Sequence, residues 1–276
     1  MEAAVLRREA FFLAGAGGGR FCLLTLPPGP VRGALLFVPP FAEELNKSRR
    51  MISLAVRAFA ARGWAVLQMD LQGCGDSAGD FGDAAWQGWL DDVEQGYGWL
   101  AARVGKAPAL WSLRAGGLLA CDWLAAAKVD VPWLAWQPVT NGKQHLNQFL
   151  RLKAASEMLA DADARAAMSA LREAMQRGET VEVAGYALSA GLVSGLEQAT
   201  LRLPPGRAAA VTMFEIASGE ATEVSPALAR LVAAWQQEGV AVSAIPVAGS
   251  AFWQTQEIEV VPALIEQSLA ALEQMQ

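Results

Sequence analysis

The chain has 276 residues, enough for one large α/β domain carrying an insertion, and it is 53% hydrophobic with 10 tryptophans, which predicts an extensive buried core. A formal net charge of −6 argues against nucleic acid as a main partner. Charged residues interrupt every apolar stretch well before the ~18 residues a membrane span requires. Glu2, Arg7, Arg8 and Glu9 break the apolar run a signal peptide would need, so a cytoplasmic protein is expected. Cys22, Cys74 and Cys121 have neither C-x-x-C spacing nor an even count, so neither a disulfide nor a structural zinc is expected, and nothing calls for a cofactor.

In chain order, Val5–Leu13 and Arg20–Leu26 read as two strands around the turn Gly15–Gly19. Ala34–Val38 is a short all-apolar run, as expected of a parallel strand buried on both faces. Pro39-Pro40-Phe41-Ala42-Glu43-Glu44 leads into a helix lasting to Arg62, and Ala65–Asp70 is the next strand. A glycine-rich turn, Asp70 to Ser77, precedes a long helix predicted from Gly82 to about Val104. Pro108 to Leu113 then reads as a buried strand that turns sharply at Arg114 into a small-residue helix reaching about Lys128, followed by a strand at Trp133–Trp136. From Pro138 to about Leu203 the alternation stops, and Ala, Leu and Met recur at helical spacing across His145–Arg177. The rhythm resumes with a strand at Ala209–Ile216, a helix at Pro226–Glu238, a strand at Val240–Pro246 and a closing helix from about Glu257 to Glu273.

This order predicts an α/β-hydrolase fold: an eight-stranded, mostly parallel sheet with helices on both faces, a core of residues 1–137 and 204–276, and a helical lid inserted at 138–203. In that fold the nucleophile sits at the middle of G-x-S-x-G, on the turn between a strand and a helix. The five positions here are Ser112-Leu113-Arg114-Ala115-Gly116, which puts an arginine in the nucleophile's place. An arginine has no deprotonated form at ordinary pH and cannot attack a carbonyl. The acid's place offers Glu220 and Glu223, and the histidine's place, after the last strand, holds Gly249-Ser250. His145, the sole histidine, opens the insertion, where a surface or capping role is the plainer expectation. Gly75-Asp76-Ser77-Ala78-Gly79 matches G-x-S-x-G by letter, but no helix follows at once to make an elbow, so Ser77 reads as a turn residue. Cys74 lacks an activating partner, and Cys121 reads as core.

A cation at a helix N-terminus opposes the macrodipole and calls for an anion nearby. One reading is that Glu43 or Glu44 pairs with Arg114 and closes the site. The other is that Arg114 binds a carboxylate or phosphate, with Phe41, Phe252 and Trp253 as apolar walls and Lys47, Arg49 and Arg50 adding to the field if they point inward. The candidate ligand-binding residues are Arg114, Glu43, Glu44, Phe41, Ser112, Trp253 and Gln254, and no catalytic residue is assigned.

Four blocks carry a family resemblance: Pro39-Pro40-Phe41-Ala42-Glu43-Glu44-Leu45-Asn46-Lys47-Ser48-Arg49-Arg50-Met51, Trp111 to Gly116, Gln148-Phe149-Leu150-Arg151-Leu152, and Phe252-Trp253-Gln254-Thr255-Gln256-Glu257-Ile258. Together they resemble the second family of hydrolase-like proteins associated with exosortase A systems, within the α/β-hydrolase superfamily, over essentially the whole chain. The resemblance implies a bacterial cytoplasmic protein encoded beside exopolysaccharide biosynthesis and PEP-CTERM sorting functions, with arginine at the elbow as part of the family pattern. Ser112 stands where glycine is more usual there. The word hydrolase in the family name follows from fold and implies no activity. Three readings follow: a protein without a working triad that binds a small anionic or acyl ligand, an esterase or acyl hydrolase built on Ser112, Glu43, Glu44 or His145, and a scaffold that docks a protein of that pathway.

Overall fold

The computed structural model describes residues 5–127, 129–158, 164–203, 210–219 and 223–275. Its centre is an eight-stranded sheet in the order β1-β2-β4-β3-β5-β6-β9-β10. The strands are β1 (Arg7–Gly15), β2 (Gly18–Leu26), β3 (Gly33–Val38), β4 (Trp64–Met69), β5 (Ala109–Leu113), β6 (Trp133–Trp136), β9 (Val211–Ala217) and β10 (Val242–Ala248). β1 pairs antiparallel with β2, and β2 with β4; all other neighbours are parallel. Apart from Gly33, the central strands β3, β5 and β6 are buried, which is why they carry no polar alternation.

Helices α1 (Glu43–Ala61), α2 (Trp86–Val104), α3 (Gly116–Ala127), α7 (Pro226–Gln237) and α8 (Pro262–Gln274) cover the sheet. The two-residue period of the strands divides the core. Leu36, Val38, Trp133 and Ala135 face one layer, while Leu35, Phe37, Trp111, Leu134 and Trp136 face the other. Trp111, Trp133, Trp136 and Trp235 are fully buried, and Trp64, Trp86, Trp89, Trp123 and Trp253 nearly so, so most of the indoles serve packing. A second stabilising element is the buried pair Arg20–Asp92, whose Nε–Oδ1 distance is 2.7 Å, with the Arg20 terminal nitrogens donating to the carbonyls of Gly18 and Ala16. Those carbonyls and the Gln72 N–H to Asp92 complete the desolvated charges' hydrogen bonds.

Between β6 and β9 the chain leaves the sheet. It forms α4 (Gly142–Met158), α5 (Ala164–Gln176), a hairpin of β7 (Val181–Val183) and β8 (Tyr186–Leu188), and α6 (Ala190–Gln198). The helical run expected over His145–Arg177 is thus two helices, and the hairpin was not foreseen. The legs of this insertion are pinned together, with Gly142 N–H on the Ala199 carbonyl and Leu201 N–H on that of Thr140, both at 3.0 Å. Gly142 has no room for a side chain, since a Cβ there would lie 1.8 Å from the Leu196 carbonyl oxygen. The helix predicted to start at Gly82 starts at Trp86 instead. Before it, Phe81–Asp83 forms one 3₁₀ turn closed by a capping box between Asp80 and Asp83.

Candidate functional site

The strand–turn–helix at the sheet's centre is built as the small-residue pattern predicts. β5 ends at Leu113, α3 starts at Gly116, and Arg114 between them holds the left-handed φ of 54°. Its backbone is pinned: Arg114 N–H donates to the Trp136 carbonyl at 3.0 Å, and Gly117 N–H to the Arg114 carbonyl at 2.9 Å. Gly116 is obligatory because a Cβ would sit 2.5 Å from the carbonyl oxygens of Val38 and Pro39. The turn therefore throws the Arg114 side chain beyond the carboxyl edge of the sheet, where open α/β sheets place ligands.

A second strained residue prepares the opposite wall. Ala42 (φ 50°, ψ −127°) precedes α1 and turns the chain so that Glu43 and Glu44 occupy the helix's first turn. Carboxylates suit that helix terminus. Arg114 Nε donates to Glu44 Oε1 at 3.0 Å, and the guanidinium carbon stands 5.1 Å above the Trp253 ring. One bond and one aromatic face thus hold the guanidinium, and the Glu44 bond uses one of its five N–H groups.

His145, in the first turn of α4, is only 6% exposed and reaches the same cluster. Its ring meets Phe41 edge-on at 5.9 Å, and its Nε2 lies 4.0 Å from Glu44 Oε2. Among the described residues neither ring nitrogen has a hydrogen-bond partner, and neither does Glu44 Oε2. Burial, and then the charge of Arg114, push the imidazole down to about 3, so the ring is neutral and the 4.0 Å approach is not an ion pair. Burial pushes the Glu44 carboxyl up to about 7, with Arg114 opposing the shift. Glu43 is also raised by burial, while Lys47 pulls it back. The expectation of a surface or capping histidine is overturned: the chain's sole histidine is buried against Glu44.

These groups surround a cavity of about 340 Å³, lined by Phe41, Glu43, Glu44, Lys47, Arg114, His145, Gln148, Phe149, Leu152, Ala184 and Gln254. Of the residues singled out from the sequence, Arg114, Glu43, Glu44, Phe41 and Gln254 come together here, and Trp253 lies beneath the guanidinium. Ser112 does not reach the cavity. It is 1% exposed, and its hydroxyl accepts from Trp133 Nε1 at 2.8 Å on the far side of the strand. Phe252 is a core residue packed on Trp136 rather than a wall. Lys47 lines the cavity and donates to the Gln254 carbonyl at 3.2 Å, whereas Arg49 and Arg50 point to solvent and add no charge there. Gln148, Phe149 and Leu152 were not singled out as ligand contacts. With His145 they recur at three- and four-residue spacing on one face of α4, a signal present in the sequence.

Ser77 is the turn residue it reads as: buried, accepting from Phe21 N–H at 2.9 Å and donating to the Asp70 carbonyl. Burial pushes the Cys74 thiol up to about 12, which leaves it unreactive, and Cys121 is core. Glu223 is exposed to solvent, and Glu220 lies outside the described residues. Ser250 follows β10 and stands 3.4 Å from the Glu259 carboxylate. Among the described residues no group of three or more His, Cys, Asp or Glu side chains is placed to hold a metal, and no helix is long and apolar enough to cross a membrane.

No protein-family model matches the chain, and no curated protein sequence does. Solved structures do. Ferulic-acid-bound Est1E from Butyrivibrio proteoclasticus is 14% identical, with 96% of this chain and 99% of that one covered and a TM-score of 0.64. A highly thermostable carboxyl esterase from Bacillus coagulans, in complex with glycerol, is 14% identical over 98% of this chain and 99% of that one, with a TM-score of 0.62. An α/β serine hydrolase homologue from Coxiella burnetii is 13% identical over 99% of both chains, with a TM-score of 0.56. At these identities the likeness shows the fold. The chain has the α/β-hydrolase fold.

Proposed function

We propose that this protein is a ligand-binding member of the α/β-hydrolase fold without a working serine triad, in which Arg114 stands in the nucleophile's place and receives the anionic end of a small acyl-type ligand. The observation that carries this reading is the state of Arg114. It is held by Nε on Glu44 and by Trp253 beneath it, it lines the cavity, and its terminal nitrogens have no protein hydrogen-bond partner among the described residues. A pair that merely closed the site would use the fork of the guanidinium, and this one does not.

What supports binding over turnover is the cavity lining, which among the described residues includes no serine, threonine or cysteine. His145 is neutral yet has no hydroxyl or thiol to deprotonate, and Ser112 is turned into the core. The motif resemblance supplies the setting: a cytoplasmic protein acting alongside exopolysaccharide assembly and exosortase-dependent sorting. The experiment is a screen of short-chain acyl ester and thioester hydrolysis by the purified protein beside Arg114→Ala and Ser112→Ala. Rates equal to buffer in all three are expected. Turnover by the parent protein that disappears in one variant would overturn the reading.

A further inference from the structure

We infer that the ligand is a small monocarboxylic acid with an apolar tail, its carboxylate gripped by the outer edge of the Arg114 guanidinium and its tail lying along Phe41, Phe149 and Leu152. The inference rests on the binding reading above and names the chemistry of the ligand.

The head group follows from geometry. Glu44 occupies Nε alone, at 3.0 Å, so the two terminal nitrogens remain as a parallel pair of donors. That planar fork matches a carboxylate held by two hydrogen bonds. Beside it, His145 is nine-tenths buried with both ring nitrogens unpartnered, so one N–H is free to serve a carboxylate oxygen after a small rotation of the ring. Burial holds the Glu43 and Glu44 carboxyls above their ordinary range, so the space beside Arg114 and Lys47 already resists negative charge and opposes a phosphate dianion more than a carboxylate.

The tail follows from the remaining lining. Phe41 and Phe149 pack edge to face at 5.2 Å and form one continuous apolar wall. Leu152, next along the same face of α4, is 46% exposed at the rim, a large apolar side chain left open where a tail would leave the head group. Ala184, at the tip of the β7–β8 turn, closes the other side without adding a polar group. A volume of about 340 Å³ lies at the lower end of ligand pockets, which sets the ligand as small.

The test is calorimetric titration of the full-length protein with acetate, hexanoate, benzoate, hexyl phosphate and hexanol. Hexanoate and benzoate are expected to bind at least about tenfold more tightly than acetate, and hexyl phosphate and hexanol more weakly than hexanoate. Arg114→Lys keeps the charge but loses the fork, and it is expected to lose most of the affinity. Because an Arg114 variant strands Glu44, the double variant Arg114→Gln with Glu44→Gln serves as the folding-neutral control, and hexanoate binding is expected to vanish in it too. The rim variant Leu152→Gln, which removes apolar surface without adding charge, is expected to weaken hexanoate at least about fivefold more than acetate. Tighter binding of hexyl phosphate than of hexanoate would overturn the carboxylate assignment and leave the binding reading standing. An absence of binding to every anion would overturn both.

Discussion

Glu44 and His145 face each other at 4.0 Å with opposite titration behaviour: the carboxyl is held up to about 7 and the imidazole down to about 3, each chiefly by burial. Their contributions to stability therefore oppose. The folded state keeps a proton on Glu44 that the unfolded chain releases near about 4.3, so this group's contribution is full below that pH and is lost as pH rises toward about 7. The unfolded state takes a proton on histidine near about 6.5 that the folded state refuses, so the His145 contribution is lost as pH falls through that value. Between about pH 4.3 and 6.5 the two slopes, each of order 1.4 kcal/mol per pH unit, offset one another. Relative to the parent, Glu44→Gln is expected to show stability rising with pH across this window, and His145→Gln stability falling. Urea unfolding at half-unit pH steps checks this, and parallel curves for all three proteins would contradict it.

Arg20 and Asp92 are the most deeply buried ion pair described, with side chains 1% and 4% exposed. Truncating one partner leaves the other charge stranded, so Arg20→Ala is expected to cost about 3–5 kcal/mol. The double variant Arg20→Met with Asp92→Leu is expected to recover most of that loss. Chemical denaturation of the single and double variants measures both, and equal losses in the two would show that packing of the Arg20 stem dominates.

Ala42 holds a backbone conformation (φ 50°, ψ −127°) that only glycine adopts freely. Ala42→Gly relieves about 1–3 kcal/mol of strain and loses a buried methyl worth about 0.8 kcal/mol together with some chain entropy. A net gain of about 1 kcal/mol is expected, read as a rise in Tm. A drop in Tm would mean that the methyl's packing outweighs the strain.

Gly116→Ala is the converse case. Its new methyl would press on two backbone carbonyls at 2.5 Å, neither of which moves without shifting β3 or α3. A loss of about 2–4 kcal/mol is expected, in the range of severe core overpacking. Thermal unfolding tests it, and a Tm within a degree or two of the parent would show that the elbow has slack.

Much of the sheet and the elbow could be read from the chain because both are local patterns. The all-apolar run before Pro39 and the small residues around Arg114 leave little else for those segments to do. The β7–β8 hairpin escaped because each strand has three residues, too short for an alternation to register. The break before α2 escaped because it depends on Asp80 and Asp83 capping each other's backbone, which outweighs helix propensity at Gly82 to Ala85. His145 escaped for a different reason. What buries it is Phe41 and Glu44, brought to it by the turn between β3 and α1 about a hundred residues earlier in the chain, and no spacing along the chain encodes that meeting.

Trp253 beneath Arg114 has one more consequence. Its ring leads into a relay of aromatic neighbours, Phe252 at 5.2 Å, then Trp136 at 6.4 Å from Phe252, then Trp111 at 4.8 Å from Trp136. The Arg114 charge stands 5.1 Å above this indole, so an anion that neutralises it is expected to shift the emission of Trp253. The deeper Trp111–Trp136 pair is sealed from solvent. Nine other tryptophans emit with Trp253, so occupancy of the site is expected to show as the ligand-induced change in intrinsic emission that the Trp253→Phe variant lacks.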